Sequence, residues 1–385
     1  MQAQGSRPPV GDGFPGDNDQ VQTRATVFAS RGTPAQARLS TGELSGRAAD
    51  SGWRAVLAPY VEPSRRQALT AVATSVVPYL ALLVAAYAAS RVSVALALAL
   101  SVPAAGFLIR TFIVFHDCAH GSLFRSKRAN AALGSVLGVA LWMPFHSWRH
   151  KHAVHHATAG DLDRRGVGDV HTLTVAEYES EPWWGRLGYR LFRNPLVMFG
   201  LGPLWVVVLG PRLVTPSASR RVRRSVLGTD LALALLVGGC CWLLGWRTYV
   251  LVQAPPLLLT GSIGIWLFYV QHQFEGGYWK SGPEWTYEEA ALRGSSYLKL
   301  PKLLQFFTGS IGFHHVHHLS VRIPNYNLER AHNASPMFEA TPTLSLWQAV
   351  RTTRWKLWDE EQERLVTFRG ARARRPGARL SVASL

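Results

Sequence analysis

Apolar and polar residues fall in long blocks along this chain. Four blocks are strongly apolar and nearly free of charge, at about 68–89, 94–115, 229–246 and 250–271. Crossing the hydrocarbon core of a bilayer takes about 20 apolar helical residues, so each block is predicted to be a membrane-spanning helix. Arg110 lies near the end of the second block, close enough to the interface for its side chain to snorkel. Two weaker stretches, Ala131–Phe145 and Leu196–Gly210, are short, and the second is broken by Gly200, Gly202 and Pro203. They are predicted to be re-entrant or interfacial. The polar stretches Lys151–Trp184 and Glu275–Gln362 are expected to fold together beneath the spans. The predicted fold is therefore an all-α integral membrane protein, a four-span helical stem with a cytosolic helical cap. Residues 1–60, rich in Gly, Pro, Ala, Gln and Arg, read as a disordered arm, 61–345 as the membrane domain, and 346–385 as an amphipathic, basic tail. No internal repeat is visible.

Charge adds a direction to this picture. The chain carries a formal net charge of +17, and Arg collects near the ends and between the apolar blocks. The segment Arg364–Leu385 has six Arg and no acid. It is read either as a solvated tail or as a segment drawn to anionic lipid headgroups. No base-reading or stacking module accompanies the charge, so no nucleic-acid partner is expected. Cys118, Cys240 and Cys241 are the only cysteines, which leaves no disulfide framework and no CxxC. Cys118 is assigned a packing role in preference to that of a thiolate ligand. The N-terminus has no compact positive-then-apolar signal segment.

Most of the fourteen histidines fall in three clusters, each beside an apolar block: 116–120 (HDCAH), 150–156 (HKHAVHH) and 314–318 (HHVHH). Neutral imidazole is the commonest side-chain ligand for transition metals. Offsets of three and four residues stack side chains on one helix face. His116 and His120 form such a pair, and His152, His155, His156 and His314, His317, His318 form two triples. Eight nitrogens are too many for one ion. Zinc is saturated by four ligands, so the set suits two five- or six-coordinate ions and points to iron.

Bringing the clusters to one site also fixes the topology. With the N-terminus inside, the first two spans form a hairpin that returns His116 to the inner side. An even number of crossings must then separate His156 from His272, so 196–210 is expected not to span. The basic stretch Arg212–Arg224 then lies on the inner face, as the positive-inside rule prefers.

The segments FHDCAHGSLF (115–124), WRHKHAVHHAT (148–158) and HHVHHLSVRIPNY (314–326) resemble the membrane fatty acid desaturases and their hydroxylase relatives, over about residues 65–340. The detailed text is similar to the bacterial acyl-lipid delta-12 (omega-6) type. The resemblance implies a di-iron centre with His116, His120, His152, His155, His156, His314, His317 and His318 as ligands. It leaves His315 as a spare or supporting group and adds His272, in YVQHQF (269–274), after the last span. His146, His150, His171 and His332 fall outside the pattern. Asp117, Asp161 and Asp163 are candidates to orient ligating imidazoles, with a cap or surface role as the alternative.

The resemblance further implies O2-dependent formation of a cis double bond in a membrane-lipid acyl chain. It places the chain in the bacterial inner membrane, with the active site and both termini cytoplasmic. No flavin, NAD or haem motif is present, so electrons are expected from a ferredoxin-type donor. An apolar tunnel for the acyl chain would draw on Trp142, Phe145, Trp266, Phe268, Phe306 and Phe307, each also explicable as packing. Hydroxylation or ketolation of a lipid, alkane or carotenoid is the rival chemistry. Metal transport is the rival from another class, and it expects ligands near the bilayer midplane.

Overall fold

The computed structural model describes residues 52–373, so 1–51 of the expected arm and 374–385 of the expected tail lie outside the described residues. Helices α1 (Arg65–Ser90) and α2 (Val94–His120) form the first hairpin. Ser64 and Ser93 start them, each hydroxyl accepting from a backbone N–H three residues on. Ala68, Ala71 and Ala86 of α1 pack with Ala104 and Leu108 of α2. Small side chains at such a seam let two helices approach closely where no water drives them together. Leu69, Val77, Leu80 and Val84 stay exposed on the outer side, as lipid-facing residues should. Gly121, at φ +71°, stops α2 immediately after His120.

Helix α3 (Lys127–Ala140) is 14 residues long. At 1.5 Å per residue it reaches about 21 Å, short of a bilayer's ~30 Å core. It packs instead on α4 (Phe145–Thr158), where Gly134 meets the Phe145 ring so closely that a Cβ would lie 2.1 Å from it. Helix Trp183–Phe192 leaves Trp183, Trp184, Leu187 and Leu191 exposed. It bends by 61° into the π-helical turns of Val197–Leu201 and Leu204–Leu209. The second long hairpin is α5 (Arg220–Leu244) and α6 (Trp246–His272), joined at Gly245. Among the described residues four helices are thus long and apolar enough to cross a membrane, or five if the bent pair Trp183–Phe192 and Val197–Arg212 is one span. The third begins nine residues earlier than the apolar block suggests, because Ser219 caps a helix that starts in the basic stretch.

The cap comprises α7 (Tyr287–Arg293), α8 (His314–Leu319) and several shorter turns. It also holds two small sheets that the hydropathy pattern does not reveal. Strands β1 (Tyr297–Lys299) and β2 (Thr343–Ser345) pair in parallel, and β3 (Leu357–Asp359) and β4 (Arg364–Val366) pair antiparallel. Three-residue strands are too short to show a period.

Both expected outer boundaries move. Residues 52–57 are helical, and Trp53 and Leu57 are buried against Ile113, Phe313 and Val316, so this end of the expected arm belongs to the core under α8. Residues 346–373 are ordered too, because Leu357 and Trp358 of β3 and Leu365 of β4 are buried among Tyr178, Tyr189 and Trp279.

Candidate metal centre

Nine imidazoles from four helices meet where the stem joins the cap. They are His116 and His120 from the last turn of α2, His152, His155 and His156 from α4, His272 from the end of α6, and His314, His317 and His318 from α8. They sort into two groups, each with all its ligand atoms within 4.8 Å of one another. The first holds His116, His120, His152, His156 and His317; the second holds His155, His272, His314 and His318.

Helical periodicity explains the division. At about 100° per residue, positions four apart lie about 40° from each other, while the third position lies about 60° to the other side. His152 and His156 therefore stay together and His155 turns to the second group. In α8 the arrangement is reciprocal: His314 and His318 stay together, and His317 turns to the first. Each HxxHH box thus contributes to both groups, and this fixes α4 against α8.

The spacings within each group are those of ligands around a cation. His156 Nε2 lies 3.1 Å from His152 Nε2 and 3.0 Å from His317 Nε2. His272 Nε2 lies 2.9 Å from His314 Nε2 and 3.2 Å from His155 Nε2, and His314 and His318 are 3.1 Å apart. Two nitrogens held at about 2.1 Å from an ion are about 3.0 Å apart at a right angle and about 3.4 Å apart at a tetrahedral angle. These closest separations suit neighbouring ligands of a five- or six-coordinate ion, and the remaining ligand atoms of each group lie within 4.8 Å of one another.

Protonation states agree with this. Burial, reinforced by neighbouring imidazoles, holds His152, His156, His314, His317 and His318 well below the usual histidine range, so they are neutral and offer lone pairs. His155 Nδ1 donates to Asp169 Oδ1 at 2.6 Å and His272 Nδ1 donates to the Gly294 carbonyl at 3.1 Å. Both protons are thus on Nδ1, and the two Nε2 lone pairs face each other. Buried His120 Nε2 has no hydrogen-bond partner at all. Converging lone pairs and an orphaned nitrogen are costly unless a cation lies between them. The residues present fit a two-ion centre.

Of the acids proposed as orienters, Asp117 reaches His116 Nδ1 only at 3.4 Å and accepts more closely from the Asn325 backbone N–H and side-chain amide, at 2.7 and 2.8 Å. It ties α2 to the cap. Asp161 pins its own loop through Arg164 and the Asp163 N–H, and exposed Asp163 contacts no histidine of the centre. Asp169 was missed. Its signal is local: it follows Gly166-Val167-Gly168, and a Cβ on Gly168 would lie 2.8 Å from the Lys151 carbonyl and 3.0 Å from the His155 Cβ. Two glycines at positive φ let this loop lie against α4 and deliver the carboxylate.

The remaining histidines stand apart. His315 turns away from both groups and pairs with His332, Nε2 to Nδ1 at 3.0 Å. His146 lies beside the start of α5, His150 is exposed, and His171 packs on Tyr189 and Phe192. Among the aromatics expected along a tunnel, Phe268 touches the centre, its ring 4.9 Å from His155 and 5.4 Å from His272. Phe145 packs on Phe115, and Phe306 and Phe307 pack on Phe107.

Residues 90–347 match the sequence pattern of the fatty acid desaturase family. This chain belongs to that family. A fatty acid desaturase of Bacillus subtilis (strain 168) is 45% identical over 313 residues, covering 81% of this chain and 89% of the relative. An sn-1 acyl-lipid omega-3 desaturase (ferredoxin) of Synechocystis is 27% identical over 63% of this chain and 69% of the relative. The sn-1 oleoyl-lipid 12-desaturase of the same organism is 26% identical over 59% of this chain and 64% of the relative. The enzyme is an oxidoreductase of the membrane-bound desaturase type, and its histidine groups, at the stem's end, are unlike a transporter's midplane site.

Proposed function

We propose that this desaturase introduces a cis double bond into an acyl chain of a membrane lipid, with O2 as oxidant and two irons held by the nine histidines. The observation that best supports iron is the all-imidazole donor set, five ligands in one group and four in the other, which exceeds what two four-coordinate zinc sites would take. When bound, an iron pair supplies the O2 activation needed to take hydrogen from an unactivated methylene.

The chain's own residues position and protect. Asp169 and Gly294 fix the tautomer and ring plane of His155 and His272. Tyr287 donates its hydroxyl to the His318 carbonyl and so anchors the end of α8. Phe268 presents an apolar face beside His155 and His272, where a methylene chain can lie with water excluded. The balance requires a donor. Two hydrogen atoms, equal to two protons and two electrons, leave the acyl chain, two further electrons and two protons are supplied, and one O2 leaves as two waters. A ferredoxin-type protein is the proposed source, supported by one relative's name and by the lack of a flavin or haem motif.

The proposed setting is a bacterial cytoplasmic membrane with the centre and both termini on the cytoplasmic side. The basic stretch Arg212–Arg224, which runs into the first turns of α5, supports that orientation. The proposed position is delta-12, carried by the text around the boxes; relatives at 26–27% identity are named for omega-3 and for 12. The test is gas chromatography with mass spectrometry of fatty acids from bacteria expressing the chain with a ferredoxin and its reductase, fed oleate or stearate. A diene from oleate, absent with His155→Ala, supports the full reading. A monoene from stearate alone keeps desaturation and overturns delta-12, while hydroxylated chains overturn desaturation.

A further inference from the structure

A small cavity lies between the ends of α4, α6 and α7, with Asp169, Phe268, His272, Gln273, Trp279 and Gly294 in its lining. It stands behind the second histidine group, away from the metal position. His155 and His272 turn Nε2 toward each other, and His272 Nε2 also faces His314. The cavity touches instead the acceptors of their Nδ1 protons, Asp169 and Gly294. Its space for the centre of a water molecule is about 10 Å³, room for one water and too little for an acyl chain.

Three polar groups of the lining have hydrogen-bonding capacity left over. The Asp169 side chain is only 6% exposed; its Oδ1 accepts from His155, and Oδ2 has no partner among the described residues. An ion in the second group offsets the charge of this carboxylate but gives Oδ2 no hydrogen. The Gly294 carbonyl accepts from His272 Nδ1, and a carbonyl oxygen has two lone pairs. Gln273 is oriented by Arg193: a guanidinium only donates, so the 2.8 Å bond fixes which end of the amide is oxygen. One Nε2 hydrogen of Gln273 then goes to Thr172 Oγ1 at 3.1 Å, and the second has no partner among the described residues. Two acceptors and one donor, all buried, are what a single water satisfies, giving both its hydrogens and receiving one. A cation there would stand near both the ion of the second group and the Arg193 guanidinium, and an apolar group would leave all three unpaired.

We propose that this cavity is a binding site for one structural water, which donates to Asp169 Oδ2 and to the Gly294 carbonyl and accepts from Gln273 Nε2. The water joins the orienting partners of His155 and His272 to each other and, through Gln273, to buried Arg193. Its role is positioning: two rings that face the second ion are held as one unit with the end of α6. A bridging water is enthalpically nearly as good as a direct hydrogen bond, and displacing it with a group that cannot replace its bonds is unfavourable. The site goes beyond the redox reading and stands whichever metal the histidines hold.

The test is a crystal structure of the full chain with its metal bound, grown in a lipidic phase and at a resolution that shows ordered water. The proposal expects one peak in the cavity, within about 3.2 Å of Asp169 Oδ2, the Gly294 oxygen and Gln273 Nε2. No peak, a peak that misses any of the three atoms, or anomalous scattering from the peak overturns it. The identity of the bound metal is read from its own absorption edge, so failure of the water site is distinct from failure of the iron reading. Val170→Met, on the same lining, extends a flexible apolar side chain into the space. It is expected to remove the peak and to weaken metal retention by the second group severalfold under chelator competition, while the first group keeps its ion. Loss of the peak with retention unchanged overturns the positioning role, as does equal loss from both groups. A melting curve checks the variant, and the wild-type peak decides the site whether or not Val170→Met folds.

Discussion

Replacing Asp169 should weaken one metal position and spare the other. Its carboxylate is buried and receives one hydrogen bond, from His155 Nδ1 at 2.6 Å, while its second oxygen has no partner. A buried carboxylate so poorly satisfied is tolerable only beside positive charge, which the second histidine group supplies when it holds an ion. Asp169→Asn keeps the shape and an acceptor for the imidazole N–H but removes the charge. Asp169→Ala also strands that N–H, at a cost of about 1–3 kcal/mol. Outer partners of metal-bound histidines typically contribute 10- to 100-fold in affinity, or roughly 1.4–2.7 kcal/mol. The expected losses are therefore about tenfold for Asn and up to about a hundredfold for Ala, confined to the second position. The assay is competition with a chelator, reading metal retained per chain by mass spectrometry. Equal retention by wild type and both variants would refute the reasoning, as would equal loss from both positions.

Three other outcomes follow from the geometry. The depressed histidines of α4 and α8 stay neutral in the fold but take up protons when unfolded, so stability should fall as pH drops below about 6.5 and be flat above about 7.5; melting temperature against pH in detergent reads this, and a rise on acidification would contradict it. Arg193 is fully buried and donates to the His171 and Trp355 carbonyls, the Tyr269 hydroxyl and Gln273, joining the cap to the end of α6. Arg193→Met should cost about 2–4 kcal/mol and loosen His272, seen as a lower melting temperature together with lost metal. Gly134→Ala forces a Cβ into the Phe145 ring and should cost about 1–3 kcal/mol, whereas the same change at Gly228, where nothing lies within 4 Å, should not destabilise.

Much of this architecture is legible in the sequence because its determinants are local. Long apolar blocks reveal α1, α2, α5 and α6. The nine histidines named from the boxes and the resemblance are the nine that converge. Their division into five and four is also implicit in the offsets, since four-apart pairs stay together and the third member turns away. What was hidden depends on contacts remote in sequence. Trp53 and Leu57 are ordinary residues until α8 buries them. The strands of three residues carry no period, and the tail's Leu357 and Trp358 matter only because Trp279 and Tyr189 cover them. Asp169 could have been suspected from its glycine-rich loop, but only the fold shows that the loop lies against His155.

The most direct test of the central claim is the metal content of the purified, full-length chain, measured by inductively coupled plasma mass spectrometry beside His116→Ala and His155→Ala. The account predicts about two irons per wild-type chain and about one in each variant, because the two histidines belong to different groups. Zinc in place of iron, a single iron in the wild type, or loss of all metal from only one of the variants would contradict it.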